Sequence, residues 1–202
     1  KLKAKGLYNI HIGTSKRGSM SVQIKRRADY MPPAFAISTV DLHITLHPTE
    51  TRVFSSLRIK RQGSHQDALV LDGDNLPVNK ISIDGIELSR KSDNSPGYVL
   101  DESSLTIPVE SDEFTLEIET TIAPSRNKAL EGLYHSGGAY CTQCEAEGFR
   151  RITFFMDRPD VLSVYTVTVA GDTSFPMLLS NGNPIDKGQL TNGQHFVKWH
   201  AP

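Results

Sequence analysis

The sequence predicts an all-β fold of antiparallel strands in a sandwich or multi-sheet arrangement. Apolar residues recur at every second position in successive short segments, which is the period of a half-buried strand. Turn signals separate these segments about every 8–12 residues, as they do in sandwiches and barrels. No window sustains the apolar period of about 3.6 residues that is typical of an amphipathic helix. Since β-rich domains commonly reach 202 residues, we expect one domain.

The N-terminal half contains the clearest strand signals. One alternating segment begins at Phe35 and ends before Pro48, which has no N–H to donate to a sheet ladder. Asp84-Gly85 lies between two short apolar segments and is typical of a two-residue type I′ hairpin, because both turn positions need positive φ. Further alternating runs predict strands at these ranges: Val53–Ile59, Ile81–Ile83, Ile86–Leu88, Leu105–Ile107 and Phe114–Thr120.

The C-terminal half begins with a long connection, Pro124–Gly148, which we expect to be irregular. Connections longer than about 12–15 residues in compact domains are usually functional or disordered, so this one is a candidate site. Asn181-Gly182 and Asn192-Gly193 are the expected turns of an antiparallel meander, and one short helical turn fits Asp157–Leu162. The strands predicted after the connection are Ile152–Phe155, Tyr165–Ala170, Met177–Ser180, Ile185–Leu190 and His195–Trp199.

Charge is distributed unevenly along the chain. Residues 1–28 carry eight Lys or Arg and no acid, whereas the remainder carries 14 basic and 23 acidic residues. No long apolar run follows the basic segment and the body is acidic, which argues against a signal peptide and a nucleic-acid-binding arm. We interpret residues 1–25 as a disordered leader or tag and 26–202 as the β-domain. No stretch approaches the roughly 20 apolar residues of a membrane span, so we expect no membrane partner. Because the body of the chain is acidic, we expect no nucleic-acid partner either.

Cys141 and Cys144 are the two cysteines of the chain. A structural zinc needs four ligands, and with His135 as the nearest histidine the set is one short. A redox dithiol needs a helix N-terminus to lower the thiol pKa, and no helix is predicted here. We therefore expect both cysteines to pack as small hydrophobic side chains. The low count suits a reducing, cytoplasmic location better than a disulfide-stapled secreted domain.

His43 and His47 have the spacing of the two histidines in the zinc motif His-Glu-x-x-His. Ile44 stands where that motif needs its general-base Glu, and the segment alternates like a strand. On a strand the two imidazoles would lie roughly 13 Å apart, too far to share a zinc whose bonds are about 2 Å long. We expect no metal ligand in this chain.

In the segment Cys141–Gly148, the polar side chains of Gln143 and Glu145 stand at alternate positions between small or apolar neighbours. In an extended segment these side chains point to the same side. A carboxylate beside an amide is suited to binding an ammonium group. The residues alone leave two interpretations open, a binding site or a solvated connection.

At these residues the sequence resembles the bacterial branch of the aminopeptidase N (alanyl aminopeptidase) family of zinc peptidases. The resemblance runs from about Asp29 to Pro202. Its central motif is similar across the wider superfamily, which includes leukotriene hydrolases, whereas the flanking residues resemble the aminopeptidase N branch. The most specific stretches are Leu130–Tyr134, Thr142–Gly148, Asp157–Val161 and Leu178–Asn183.

The resemblance implies a saddle-like N-terminal β-domain that packs on its own catalytic domain in cis. That catalytic domain would follow residue 202 and would bind zinc through a His-Glu-x-x-His helix and a distal Glu. It would also carry a Gly-Ala-Met-Glu-Asn motif and an oxyanion-stabilising Tyr. The parent protein is then expected to release N-terminal amino acids from peptides with a free N-terminus. This chain alone is expected to be inactive, with no catalytic residue and no cofactor of its own.

Within this chain the resemblance assigns substrate binding to Gln143 and Glu145. Glu145 matches the carboxylate that anchors the substrate α-ammonium group, and Gln143 matches its neighbour, which hydrogen-bonds the first substrate residue. Glu147 is expected to have a structural role, with Arg150 or Arg151 as its partner. The resemblance also implies a cis peptide bond between Glu145 and Ala146.

Two other functions compete with a substrate-anchoring domain of a cytoplasmic aminopeptidase. A stand-alone β-module for carbohydrate or protein adhesion should carry an aromatic platform and an export signal, but the sequence has one Trp, Trp199, and no such signal. A catalytically dead scaffold of the same architecture would be expected to lose the pair Gln143 and Glu145, which is present.

Overall fold

The structure is a computed structural model, and it describes residues 27–92 and 97–202. The chain divides into two units, residues 1–31 and residues 32–202. In the first unit the structure describes a 3₁₀ turn at Arg27–Asp29. The predicted leader, residues 1–25, lies outside the described residues.

The second unit is built from strands, which confirms the predicted all-β class. Two 3₁₀ turns, Pro124–Arg126 and Phe149–Arg151, interrupt them. No helix in the described part of the chain has the length and hydropathy needed to cross a membrane. The strands are β1 Phe35–Thr45, β2 Thr51–Arg61, β3 Leu69–Asp72, β4 Val78–Ile83, β5 Ile86–Glu87, β6 Val99–Leu100, β7 Ser104–Ile107, β8 Glu113–Ile122, β9 Gly132–Ser136, β10 Ala139–Gln143, β11 Val164–Asp172, β12 Asn183–Gln189 and β13 Gln194–Ala201.

These strands form three sheets. The largest has eight strands in the order β12-β13-β11-β1-β2-β8-β4-β5, the second has the order β3-β7-β6, and β9 pairs with β10 in a hairpin. Strands β1 and β11 pair in parallel, from Thr39 opposite Val164 to Thr45 opposite Ala170. All other strand pairs that the structure describes are antiparallel. The parallel pair was not predicted.

One hydrophobic core joins the eight-stranded and three-stranded sheets. On β2 and β8 the buried positions alternate strictly with more exposed ones, as the period of two requires. On β1 the alternation changes phase at a register shift between Ile37 and Thr39, so that Val40 rather than Thr39 is buried. Each fully buried aliphatic side chain contributes about 1.5–3 kcal/mol. Those with 0% exposure are Leu57, Ile59, Leu69, Leu71, Leu105, Leu116 and Ile118.

The prediction of a strand at Ile152–Phe155 is wrong. The residues follow a 3₁₀ turn, and only Phe155 makes a strand-like contact, an isolated bridge to Asp72. Ile152 to Met156 are all buried, so the segment runs through the core with no exposed face. A short apolar run of this kind does not reveal by its period which structure it adopts.

Two further predictions after the connection are also wrong. Met177–Ser180 forms no strand, and within it only Leu178 is buried. Asp157–Leu162 contains a turn rather than a helix, because the Asp157 carboxylate accepts hydrogen bonds from Arg150 instead of capping. The other predicted strands of the C-terminal half correspond to β11, β12 and β13.

The connection Pro124–Gly148, predicted to be irregular, contains the hairpin β9–β10. Its turn is Gly137-Gly138, with φ of 57° and 81°, which is the positive-φ pair that a type I′ turn needs. The predicted hairpin at Asp84-Gly85 is confirmed, with φ of 48° and 81°. Two glycines in sequence are the signal that could have revealed the first hairpin.

Candidate functional site

The candidate site is a tight turn at the end of β10. The strand ends at Gln143, and the turn is closed by a 2.9 Å hydrogen bond from the Gly148 N–H to the Cys144 carbonyl. A Cβ atom at Gly148 would overlap the Gln143 carbonyl oxygen and lie 2.8 Å from the Cys144 Cα. Only glycine therefore fits at residue 148, and the chain continues directly into the 3₁₀ turn Phe149–Arg151.

Gln143 and Glu145, the two predicted site residues, are both exposed on this turn. The Gln143 Nε2 donates a 2.7 Å hydrogen bond to the Glu145 backbone carbonyl, which links the Gln143 side chain to the backbone of the turn. The peptide bond between Glu145 and Ala146 is cis, as the resemblance implied. Among the residues that the structure describes, none bonds to or pairs with the Glu145 carboxylate, which is thus available to a ligand.

An aromatic cluster begins at Phe149, the residue that directly follows the turn. Phe149, Phe155 and Tyr165 contact one another with ring centroids 5.2–6.3 Å apart. Burial raises the pKa of Tyr165 to about 12, with further contributions from the negative charge of Asp157 and from Cys144.

Cys141 and Cys144 are both free thiols and are partly buried. Cys144 packs against the hydrophobic core, and burial, followed by the nearby charge of Asp157, raises its thiol pKa. A raised pKa leaves less of the thiolate, which is the nucleophilic form of cysteine. His135, the nearest histidine in sequence, packs against Tyr140 at 4.9 Å between ring centroids.

Arg150 fastens the turn to β3. Its Nε donates to Asp157 Oδ2 at 3.0 Å and its Nη2 donates to the Asp157 carbonyl at 2.9 Å. Its Nη1 lies 3.7 Å from Asp72 Oδ1, and its Nη2 lies 3.6 Å from Glu147 Oε1. The last contact confirms the expected pairing of Glu147 with a neighbouring arginine. Asp72 in turn accepts a 2.9 Å hydrogen bond from the Asp157 N–H, which completes the network.

Arg151 ties the other side of the segment to different carboxylates. Its Nη2 lies 2.7 Å from Asp74 Oδ2 and its Nε lies 3.1 Å from Glu131 Oε2. Between the two arginines, beside Ala146 and Glu147, lies an open groove of about 380 Å³. Neither arginine was predicted as part of the site except as a partner for Glu147, because their carboxylate partners are distant in sequence.

The two histidines with zinc-motif spacing do not form a site together. The His43 ring packs against Phe54 at 6.0 Å, on the wall of a second groove of about 470 Å³. His47 accepts hydrogen bonds at its Nδ1 from the N–H groups of Thr49 and Glu50, which shapes the turn into β2. Within residues 27–92 and 97–202, no three His, Cys, Asp or Glu side chains are grouped so that they could hold a metal ion.

The comparison with known families decides the identity of this fold. Residues 36–202 match the model of the Peptidase M1 N-terminal domain. The chain belongs to this family. As an M1 N-terminal domain it is 51% identical to aminopeptidase N of Caulobacter vibrioides over 175 residues, which are 87% of this chain and 20% of that protein. It is 40% identical to aminopeptidase N of Escherichia coli over 181 residues, covering 89% of this chain and 20% of the relative.

Solved structures agree with the family. The M1 N-terminal domain superposes on a Legionella pneumophila aminopeptidase A in complex with aspartic acid, with a TM-score of 0.77 and 32% identity, over 87% of this chain and 21% of that chain. A variant of an M1 zinc metallopeptidase from Deinococcus radiodurans, bound to a Tyr-Ser-Ala substrate, shares the fold with a TM-score of 0.68 and 16% identity. That match covers 83% of this chain and 39% of that chain. The chain spans about a fifth of the length of the curated relatives.

Proposed function

We propose that this chain is the substrate-anchoring domain of a zinc-dependent aminopeptidase that releases N-terminal amino acids from peptides. In this proposal Glu145 binds the α-ammonium group of the substrate and Gln143 hydrogen-bonds the first substrate residue. The observation that carries the proposal is the exposed Glu145 carboxylate, which has no protein partner among the described residues and is held beside Gln143 on a fixed turn.

The chemistry of Glu145 suits this role. An aminopeptidase must distinguish a free α-ammonium group from an internal amide, and a carboxylate does so through a charge-assisted hydrogen bond worth about 1.5–3 kcal/mol. A carboxylate already paired within the protein would have to give up that partner first. Glu147, whose carboxylate lies 3.6 Å from Arg150 Nη2, is in that position, which favours Glu145 as the anchor.

The zinc belongs to a different part of the proposed enzyme. The residues that the structure describes do not fit a zinc site, because no three His, Cys, Asp or Glu side chains among them are grouped so that they could hold the ion. In this proposal the catalytic domain, joined in cis, binds the zinc, which would polarise the scissile carbonyl. The present chain contributes the ammonium anchor and the surface that packs on that domain.

The test is the substitution Glu145→Gln in the full-length protein that contains this domain. Loss of about 2–3 kcal/mol of ammonium binding predicts a fall in kcat/KM of on the order of 10²-fold for substrates with a free N-terminus. The measurement is steady-state hydrolysis of an aminoacyl anilide. Gln keeps the shape of the side chain and removes its charge, so the change isolates electrostatics.

Glu147→Gln is the matched control, two residues away on the same turn, and it should lower kcat/KM by less than Glu145→Gln. The reverse order would move the anchor to Glu147. A full-length protein that binds zinc but hydrolyses no aminoacyl anilide would instead identify a catalytically dead scaffold. Cytoplasmic location remains a prediction, which cell fractionation with an antibody against this domain tests.

A further inference from the structure

Arg150 is the most extensively bonded side chain at the base of the site. Its guanidinium contacts Asp157, Asp72 and Glu147. Its own N–H donates to Asp157 Oδ2 at 3.1 Å, and its carbonyl accepts from the Asp74 N–H at 2.9 Å. Backbone and side chain of this residue are therefore both fastened to the region around the end of β3.

This arrangement fixes one end of the turn Cys144–Gly148, which carries Glu145 and is called the anchor turn below. The ladder between β9 and β10 holds the turn at Gln143, and Arg150 holds it five residues after Glu145. A short segment with both ends fixed has few backbone conformations left, so these two attachments set the direction in which the Glu145 side chain leaves the backbone. The contact from Arg150 to Glu147 adds a third attachment within the turn itself.

We propose that Arg150 is a positioning residue for ammonium recognition, one that aims Glu145 without touching the substrate. The inference rests on the proposed function, because it needs Glu145 to be the anchor. It assigns Arg150 a role in ligand affinity that a purely structural arginine would not have. A guanidinium suits this place because its Nε, Nη1 and Nη2 contact the carboxylates of Asp157, Asp72 and Glu147 respectively, which a single ammonium group cannot serve equally.

Arg151 provides a matched control. It is the next residue in the same 3₁₀ turn, it makes two carboxylate contacts of comparable length, and its side chain is also partly buried. Its partners, Asp74 and Glu131, lie outside the turn Cys144–Gly148. Loss of the Arg151 side chain therefore removes ion pairs from the same neighbourhood, whereas loss of the Arg150 side chain also removes the ion pair with Glu147 inside the turn.

The experiment compares two inhibitors of the full-length protein, leucine hydroxamate and the same hydroxamate without its α-amino group. The inhibition constant of the ligand without the amino group, divided by that of leucine hydroxamate, measures the ammonium contact alone. Everything else in the two ligands is the same. Misplacing a positioned group by about 1 Å costs up to about 10²-fold, so Arg150→Met should lower the ratio by about 10-fold. Arg150→Lys, which keeps the charge, should lower it by about threefold, and Arg151→Met by less than about twofold.

The outcomes separate the two proposals. If Arg150→Met weakens both inhibitors equally, or if Arg151→Met lowers the ratio as much, Arg150 is structural and the inference is overturned. If Glu145→Gln lowers the ratio but Arg150→Met does not, this inference fails while the proposed function stands. If Glu145→Gln leaves the ratio unchanged, the anchor itself is wrong and both fall. Should Arg150→Met not fold, Arg150→Lys decides, and it must lower the ratio by more than Arg151→Met for the inference to stand.

Discussion

Thr153→Val should destabilise the domain although it leaves the shape of the side chain almost unchanged. Thr153 and Ser55 are both fully buried, and the Thr153 Oγ1 donates a 3.0 Å hydrogen bond to the Ser55 Oγ. This bond joins the buried segment after the anchor turn to β2 in the large sheet. Valine removes the donor and leaves the Ser55 oxygen without that partner in the core. A buried polar group left unsatisfied costs about 1–3 kcal/mol, which is the expected loss in the free energy of unfolding.

Urea denaturation followed by far-UV circular dichroism measures this loss as a lower midpoint with an unchanged m-value. The double variant Ser55→Ala with Thr153→Val removes both partners together, so no oxygen is left unpaired. It should lose less stability than the sum of the two single variants, with a coupling energy of about 1 kcal/mol or more. Single changes that simply add would show that the hydrogen bond does not stabilise the fold and would refute the argument.

Two further predictions concern titration and metal binding. Because burial raises the pKa of Tyr165 to about 12, against about 10 when unfolded, the folded state holds this proton more tightly. The free energy of unfolding should be unaffected below about pH 10 and should fall as the pH rises from about 10 to about 12. In urea unfolding, the variant Tyr165→Phe should show a flatter decline over this range. An equally steep decline in the variant would contradict the assignment. Cys141 and Cys144 should retain no stoichiometric zinc in this chain after dialysis, because the pair has no further ligands nearby; one equivalent found by metal analysis would make the pair a zinc site.

The strands of the large sheet could be predicted because each buries one face. On β2, and on β8 as far as Thr120, every second side chain is buried, so the sequence shows the alternation directly. The parallel pairing of β1 with β11 could not be predicted, because it joins segments more than a hundred residues apart and leaves no local signal. Ile152–Phe155 was misread for a related reason. A segment buried on all sides has no polar face, and its period cannot distinguish a strand from irregular chain.

The exposed residues of the candidate site could be predicted from the sequence, but the ion pairs that hold the turn in place could not. Gln143 and Glu145 stood out as polar side chains among small neighbours, and the structure leaves both exposed. The partners of Arg150 lie at Asp72 and Asp157, and nothing in the sequence indicates that β3 approaches the turn. The one local pair, Glu147 with Arg150, has the spacing that side chains need to meet across a turn, and it was expected.

The site is built from irregular backbone because a regular strand could not present these groups in the same way. In a ladder the backbone groups of residues 144–148 would be committed to a neighbouring strand, and alternate side chains would face the core. In the tight turn Glu145 is under neither constraint, but the turn also lacks the ladder hydrogen bonds that would hold its backbone in place. Arg150 and the Gln143 side chain supply the missing restraints, one through carboxylates and the other through the Glu145 carbonyl. Changes in the core should therefore act on stability, whereas changes in these restraints should act on the ammonium affinity that we propose for Glu145.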